Sequence, residues 1–346
     1  MPERPGGGPD VPLLPASGVY EGRSPFASSS KPPLASRYVP FVQAVRGYSP
    51  GRLRVDAVAG LTVAALALPA AMAYAELAGL PVTAGLYALL LPVLAYALLG
   101  SAPRVVVGPE GAVALLVASA LAPLAAAGSA QYAARAAALA DVVGGVVLEA
   151  RVLRLGWIAD YFSQSVLVGY ITGVAIVMIL GQLGKLTGVS TTFDDSVRAT
   201  VDIVRHIGDV NSATLAVGGL TLLMLLVLGH FLPRWPGALL AVVLGIVASA
   251  LLDLASHGVS VTGSIPSGLP SFAVPHISGS QWLSLAGPAA AIFLVSFSDS
   301  ILTARSFAAR HHETVDADQE LLTFSAASLA AGFSQGMPIG TSGSRT

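Results

Sequence analysis

Long apolar segments limit what this chain can fold into more than any other feature of its sequence. About nine segments, each close to the roughly 20 residues that cross a bilayer as a helix, alternate with short polar stretches. They run over 57–75, 80–100, 109–127, 132–153, 157–184, 211–232, 236–254, 281–304 and 318–334. Charged residues make up 11% of the chain, too few to solvate the surface of a globular domain. The sequence therefore predicts an all-α polytopic membrane protein.

The positive and negative charges of the chain are nearly balanced, with 18 Lys and Arg against 19 Asp and Glu. No basic field is present to attract nucleic acid, so we expect no nucleic-acid partner. The absence of cysteine excludes disulfides, iron–sulfur clusters and cysteine-based zinc sites. No nucleophile motif, nucleotide-binding loop or metal-ligand cluster is visible. We therefore expect no enzymatic activity, no cofactor and no metal site.

The N-terminal region differs in composition from the rest of the chain. Residues 1–40 carry nine prolines, and a stretch of this kind cannot bury an apolar core. We predict that residues 1–50 form a disordered and juxtamembrane segment. Most cations of the tail and of the short loops, such as Arg104 and Arg151, would lie on one side of the membrane. The positive-inside rule then predicts a multi-pass protein of the cell membrane with a cytoplasmic N-terminus.

Two interruptions of the apolar segments could bring backbone N–H groups to the middle of the membrane. In the first, three valines at 105–107 precede Gly108 and Pro109, which predicts an extended stretch, a break and a half-length helix. A helix N-terminus at that depth can bind an anion. The alternatives are an ordinary proline kink, or capping of the helix by Glu110 in competition with an anion. The second interruption is the Gly/Ser-rich stretch 340–345, for which a hydrophilic loop is the alternative.

Asp299 stands inside the apolar segment 281–304. A carboxylate within a membrane span is costly and usually faces a cavity or a partner. We therefore expect Asp299 to bind a proton or a cation. The alternative is a structural aspartate that is hydrogen-bonded to neighbouring serines near the membrane interface.

Several separate motifs follow one another in an order that closely resembles the sulfate permease (SulP) family of anion transporters. The stretches 56–63, 68–75, 78–81, 85–87 and 107–109 read DAVAGLTV, LPAAMAYA, AGLP, GLY and VGP. Later, 316–321 and 343–346 read DADQEL and GSRT. The resemblance runs from about residue 40 to the last residue.

The resemblance implies the first part of a seven-plus-seven inverted-repeat transporter, with short extended stretches before the third and tenth helices. Residues 51–255 would form the first repeat, 256–280 an extracellular loop and 281–346 the start of the second repeat. The anion would lie between the N-termini of the third and tenth helices, with the first helix lining the site and the eighth binding the coupling ion. Carried over to this chain, the anion-binding residues are Gly108, Pro109, Glu110, Gly111, Ala112, Ser342, Gly343, Ser344 and Arg345, the first-helix residues are Ala70, Ala71 and Tyr74, and the coupling-ion residue is Asp299.

Some positions depart from the family pattern. Where relatives commonly have Gln after the first-helix proline, this chain has Ala70, so a polar side chain often credited with substrate contact is missing. Ser328 replaces a frequent asparagine of the ninth helix. By the family pattern the chain ends early in the tenth helix, so we expect helices eleven to fourteen and the cytoplasmic STAS domain to be absent.

The resulting functional expectation is secondary active transport of a small anion by alternating access. Sulfate comes first, and bicarbonate or a dicarboxylate is the alternative substrate. We expect a proton or a sodium ion as the coupling ion, the lipid bilayer as the surroundings, and a homodimer as one option for assembly. The alternatives are an uncoupled anion channel on the same fold, or a non-transporting scaffold or remnant.

Overall fold

The computed structural model describes residues 39–45, 48–161, 164–189, 196–232, 237–263, 265–311, 315–343 and 345–346. The predicted disordered stretch lies outside these residues over 1–38. Nearer the membrane, residues 41–45 of the same region form a short helix.

The described residues are mostly α-helical, as predicted. The helices are α1 (Phe41–Val45), α2 (Pro50–Leu77), α3 (Val82–Tyr87), α4 (Leu91–Leu99), α5 (Gly111–Leu121), α6 (Ala130–Val152), α7 (Gln164–Thr187), α8 (Ser196–Arg205), α9 (Ser212–Phe231), α10 (Gly237–Leu252), α11 (Gly279–Ser284), α12 (Ala286–His311) and α13 (Ala317–Phe333). Short 3-10 helices cover Leu155–Tyr161 and Ile207–Asp209. Two short strands, β1 (Val107–Gly108) and β2 (Gly340–Thr341), form one antiparallel pair.

Four helical stretches within the described residues are long and apolar enough to cross a membrane. They are Pro50–Leu77, Val82–Leu99, Ser212–Phe231 and Gly279–Ala308. The first begins where the side chain of Ser49 accepts a hydrogen bond from the Arg52 N–H, with Pro50 in the first turn, where its missing N–H costs nothing. The chain is a multi-pass membrane protein.

Some segments are divided differently from the prediction. The segment 80–100 forms two helices, α3 and α4, and Pro92 lies in the first turn of the second one. Proline lacks an N–H and restricts the residue before it, which favours a new helix start at this position. Between the predicted segments 157–184 and 211–232, the chain forms the amphipathic helix α8.

The buried core is centred on the packing of α6 against α13. Ser325 Oγ of α13 donates a 2.8 Å hydrogen bond to the carbonyl of Gly144 on α6. A Cβ at Gly144 would lie 3.0 Å from the backbone N of Leu329, so a glycine is needed for the helices to approach this closely. By contrast, α9 and α10 have no buried residue, so their apolar surfaces are free to face lipid or further protein.

Candidate functional site

The two interrupted segments meet, although more than 200 residues separate them in the sequence. Val107 pairs with Thr341, and Gly108 pairs with Gly340, in the antiparallel pair of β1 and β2. The Ser342 N–H extends the pairing by donating a 2.9 Å hydrogen bond to the Val106 carbonyl. The extended stretches predicted before the third and tenth helices are therefore adjacent strands.

Glu110 caps the helix that begins after the first strand. Its carboxylate accepts hydrogen bonds from the N–H groups of Ala112, at 3.0 Å, and Val113, at 3.1 Å. These are first-turn donors that have no partner within the helix. Of the alternatives left open by the sequence, self-capping by Glu110 is the one seen in this conformation. An anion that binds the same N–H groups has to replace that carboxylate.

Arg345, at the end of the second interrupted segment, contacts the first one. Its Nη2 donates a 2.6 Å hydrogen bond to the carbonyl of Pro109. Its Nη1 is buried and has no hydrogen-bond partner among the described residues. Glu110 and Tyr74 both lie within electrostatic range of this guanidinium. A cationic group with an unused donor therefore faces the break between β1 and α5.

Asp299 lies on α12, which packs against β2. Glu110 is close enough to act electrostatically on its carboxyl group. Ser296 lies one helical turn earlier, and its buried hydroxyl has no hydrogen-bond partner in the described part of the chain. The buried Thr341 hydroxyl of β2 likewise lacks a partner there. Hydroxyl and carboxylate oxygens of this kind can bind a proton or a hard cation.

The three predicted first-helix residues occupy different surroundings. Tyr74 faces the site, and a Cβ added to Gly111 would lie 3.2 Å from its ring carbon Cε1. Ala71 is fully buried against α3, where a Cβ at Gly85 would lie 2.1 Å from the Ala71 carbonyl oxygen. Ala70 is half-buried.

The remaining predicted residues cluster at the end of the chain. The Ser342 carbonyl accepts hydrogen bonds from the N–H groups of Arg345, at 3.2 Å, and Thr346, at 3.0 Å. Gly343 is exposed, and a Cβ there would lie 3.9 Å from Thr303 Oγ1. Ser344 lies outside the described residues.

Two contact residues were not predicted from the sequence. Met178 of α7 covers the start of α5, and a Cβ at Gly111 would lie 2.6 Å from its Cε and 2.8 Å from its Sδ. Thr346 Oγ1 accepts a 3.1 Å hydrogen bond from the Val106 N–H. A methionine within an apolar span carries no local signal of such a role, whereas Thr346 belongs to the GSRT motif and could have been included.

The sequence matches known proteins over most of its length. The family model described as the sulfate permease family matches residues 53–346. A probable sulfate transporter of Mycobacterium tuberculosis is 42% identical over 309 residues, which cover 89% of this chain and 55% of that protein. Probable sulfate transporter 3.3 of Arabidopsis thaliana is 32% identical over 83% of this chain and 48% of its own length. The chain spans about half the length of the curated relatives it matches.

Solved structures share the fold. The murine solute carrier 26 family member A9 anion transporter in the inward-facing state superposes with a TM-score of 0.82 at 20% identity, over 93% of this chain and 57% of that one. The transmembrane domain of BicA, a cyanobacterium bicarbonate transporter, gives 0.74 at 22% identity, over 86% of this chain and 77% of its own. The family match and the shared fold show that this chain belongs to the sulfate permease family.

Proposed function

We propose that this chain carries the substrate-binding part of a secondary active transporter that moves a small anion, sulfate first, by alternating access. The main observation in support is that the β1–β2 pair, the start of α5 and Arg345 lie next to one another. Arg345 supplies a buried Nη1 donor there, which no described residue accepts from. Arginine suits oxyanions because its planar fork donates parallel hydrogen bonds.

The names of the relatives support the choice of substrate class. Probable sulfate transporters are among the related sequences, and a bicarbonate transporter is among the proteins of similar fold. Bicarbonate or a dicarboxylate is the alternative substrate. The anion would contact the backbone of 108–112, Ser342, Gly343 and Arg345, with Ser344 as a further candidate. Tyr74 would line one side, and Ala70 and Ala71 would contribute apolar surface.

The charges of the site favour coupling to a cation. Glu110 and Asp299 bring two acidic groups to the same region, and Arg345 brings one positive charge. When both acids are ionised, an incoming anion meets a net negative site, which is unfavourable away from bulk water. A proton or a sodium ion at Asp299 removes that repulsion. Anion and cation binding would then favour one another, as symport requires.

The arrangement in the membrane belongs to the same proposal. The N-terminus would be cytoplasmic, residues 51–255 would form the first inverted repeat, 256–280 the extracellular loop, and 281–346 the start of the second repeat. The protein would then assemble as a homodimer in the cell membrane through surfaces that face lipid in the single chain. Glu110 would release the α5 N–H groups when it is protonated or displaced by the anion.

Uptake into proteoliposomes tests the proposal. Labelled sulfate, bicarbonate and a dicarboxylate are offered under an imposed proton gradient or an imposed sodium gradient. The protein is this chain, and in parallel a chimera in which the mycobacterial relative supplies the remaining length. Arg345→Ala is compared with Arg198→Ala, which removes an exposed arginine of α8.

We expect uptake that saturates, shows countertransport and is driven by one of the gradients. The Arg345→Ala variant should lose this uptake, and the Arg198→Ala variant should retain it. Flux that does not saturate and shows no countertransport would favour the uncoupled channel. An absence of uptake in both proteins would leave the non-transporting scaffold or remnant as the better description.

A further inference from the structure

Besides Glu110 and Asp299, another acidic side chain is buried in the interface between α6 and α13. Asp141 of α6 is 9% exposed, and both of its carboxyl oxygens are buried. Neither oxygen has a hydrogen-bond partner in the described parts of the chain. Ionised carboxylates are rarely buried without a donor or a cation, because the desolvation of the charge is then uncompensated.

The packing around Asp141 is tight. A Cβ added to Gly332 of α13 would lie 2.0 Å from Asp141 Oδ1 and 2.8 Å from the carbonyl oxygen of Ala137. The carboxyl group and this carbonyl therefore face the same point of α13. Both groups are acceptors when the carboxyl is ionised, so they repel one another. A proton on Asp141 converts one of the two acceptors into a donor.

Within the described part of the chain, no charged or titratable side chain of the neighbouring elements forms a hydrogen bond with Asp141. On α6 itself, Arg135 lies six residues earlier, about 9 Å along the helix axis. Among the described side chains the groups on the packed elements are Tyr132, Arg135, Glu149 and Arg151 of α6, Asp299 and Arg305 of α12, and Asp318 and Glu320 of α13, whereas the α5 and α11 sequences contain none. Glu320 lies more than three turns of α13 from Gly332 and is hydrogen-bonded elsewhere.

We propose that Asp141 is a proton-binding site, with the carboxylic acid O–H donating a hydrogen bond to the Ala137 carbonyl across the face of Gly332. A buried carboxyl group without a partner binds a proton rather than remain charged. The carbonyl has a second lone pair available for this bond besides its helical one. The site is separate from Asp299 and does not depend on anion transport.

The proton also stabilises the packing of α6 against α13. Only the protonated carboxyl group of Asp141 packs beside Gly332 without leaving an uncompensated charge in the interface. The folded state therefore holds this proton more tightly than the unfolded state, in which water solvates the carboxylate. Stability from this group is present at acidic pH and is lost as the pH rises.

Infrared spectroscopy of the full chain in liposomes tests for the proton directly. At neutral pH the wild type should show a carbonyl band of a protonated carboxylic acid that shifts in D₂O. Asp141→Asn should remove that component, and Asp141→Ala serves the same comparison if the asparagine variant does not fold. Asp253→Asn, which changes an exposed aspartate, should leave it unchanged. A spectrum identical in the wild type and both Asp141 variants would overturn the proposal.

Thermal unfolding across pH and sodium concentration separates a proton from a cation. The wild-type midpoint should fall between mildly acidic and alkaline pH, and Asp141→Asn should lose that part of the decrease. If added sodium instead protects the wild type at alkaline pH, and the Asp141→Asn variant gains no such protection, the site holds a cation and the proton proposal is wrong.

Discussion

Glu320 offers the sharpest test of how the site is held in place. Its carboxylate accepts hydrogen bonds from Tyr96 Oη at 2.7 Å, Ser101 Oγ at 2.6 Å, and the N–H groups of Ser101 at 2.9 Å and Ala102 at 3.1 Å. Ser101 and Ala102 begin the stretch that leads to β1, and Glu320 lies on the helix that leads to β2. One side chain therefore joins the supports of both strands.

The change Glu320→Ala removes the acceptor and leaves these donors without it. Ser101 is only partly buried, so water can replace its partner, whereas Tyr96 and Ala102 are each 6% exposed. An unsatisfied buried donor costs about 1–3 kcal/mol, so the two buried donors together predict a loss of about 2–6 kcal/mol in the free energy of unfolding. Glu320→Gln is the matched control, because its amide oxygen can still accept the bonds from residues 101 and 102.

Unfolding by denaturant in a fixed detergent measures the difference. We expect Glu320→Ala to lose about two to three times as much stability as Glu320→Gln, whose loss should be about 1–2 kcal/mol from weaker, uncharged hydrogen bonds. If the alanine variant unfolds within about 1 kcal/mol of the wild type, the four hydrogen bonds do not hold the two strands together, and the reasoning fails.

Three further changes test the site itself. Arg345→Ala should weaken sulfate binding by about 1.5–3 kcal/mol in calorimetry, since it removes charge-assisted hydrogen bonds, and unchanged affinity would exclude this arginine from the site. Asp299→Asn should abolish the response of uptake to the driving gradient; a wild-type response to proton and sodium gradients would contradict its coupling role. Gly340→Ala places a Cβ 2.9 Å from Val113 Cγ2 and should cost about 1–3 kcal/mol of stability, whereas Gly60→Ala, with nothing within 4 Å, should cost none.

The parts of the site that follow local rules could be predicted from the sequence. Valines before Gly108 and Pro109 favour an extended stretch and then a helix start, and β1 and α5 occupy these positions. Capping by Glu110 is one of three interpretations of this stretch, beside anion binding by the helix N-terminus and an ordinary proline kink, because an acidic side chain at a helix start can itself bind the first-turn N–H groups.

The parts that depend on long-range packing could not be predicted. Nothing near Glu320 indicates that Tyr96 and Ser101 will donate to it, because the partners come from a helix and a loop more than 200 residues earlier. The same holds for Asp141, whose importance depends on Gly332 of another helix. A sequence pattern shows that a residue is unusual for its segment, whereas its partner is fixed only when the helices pack.

The described contacts of α7 with α2 and with the start of α5 include two that are weak. Besides Met178 over Gly111, α7 is joined to the end of α2 by an ion pair of 2.9 Å between Lys185 and Glu76. Both partners of this pair are about half-exposed, and such pairs contribute about 0–1 kcal/mol. Methionine is flexible and adapts its packing at low cost. If the proposed alternating access moves α7, that movement would break these two weak contacts, while the four hydrogen bonds of Glu320 would keep the strands together. The start of α5 would then be uncovered without loss of the β1–β2 pair.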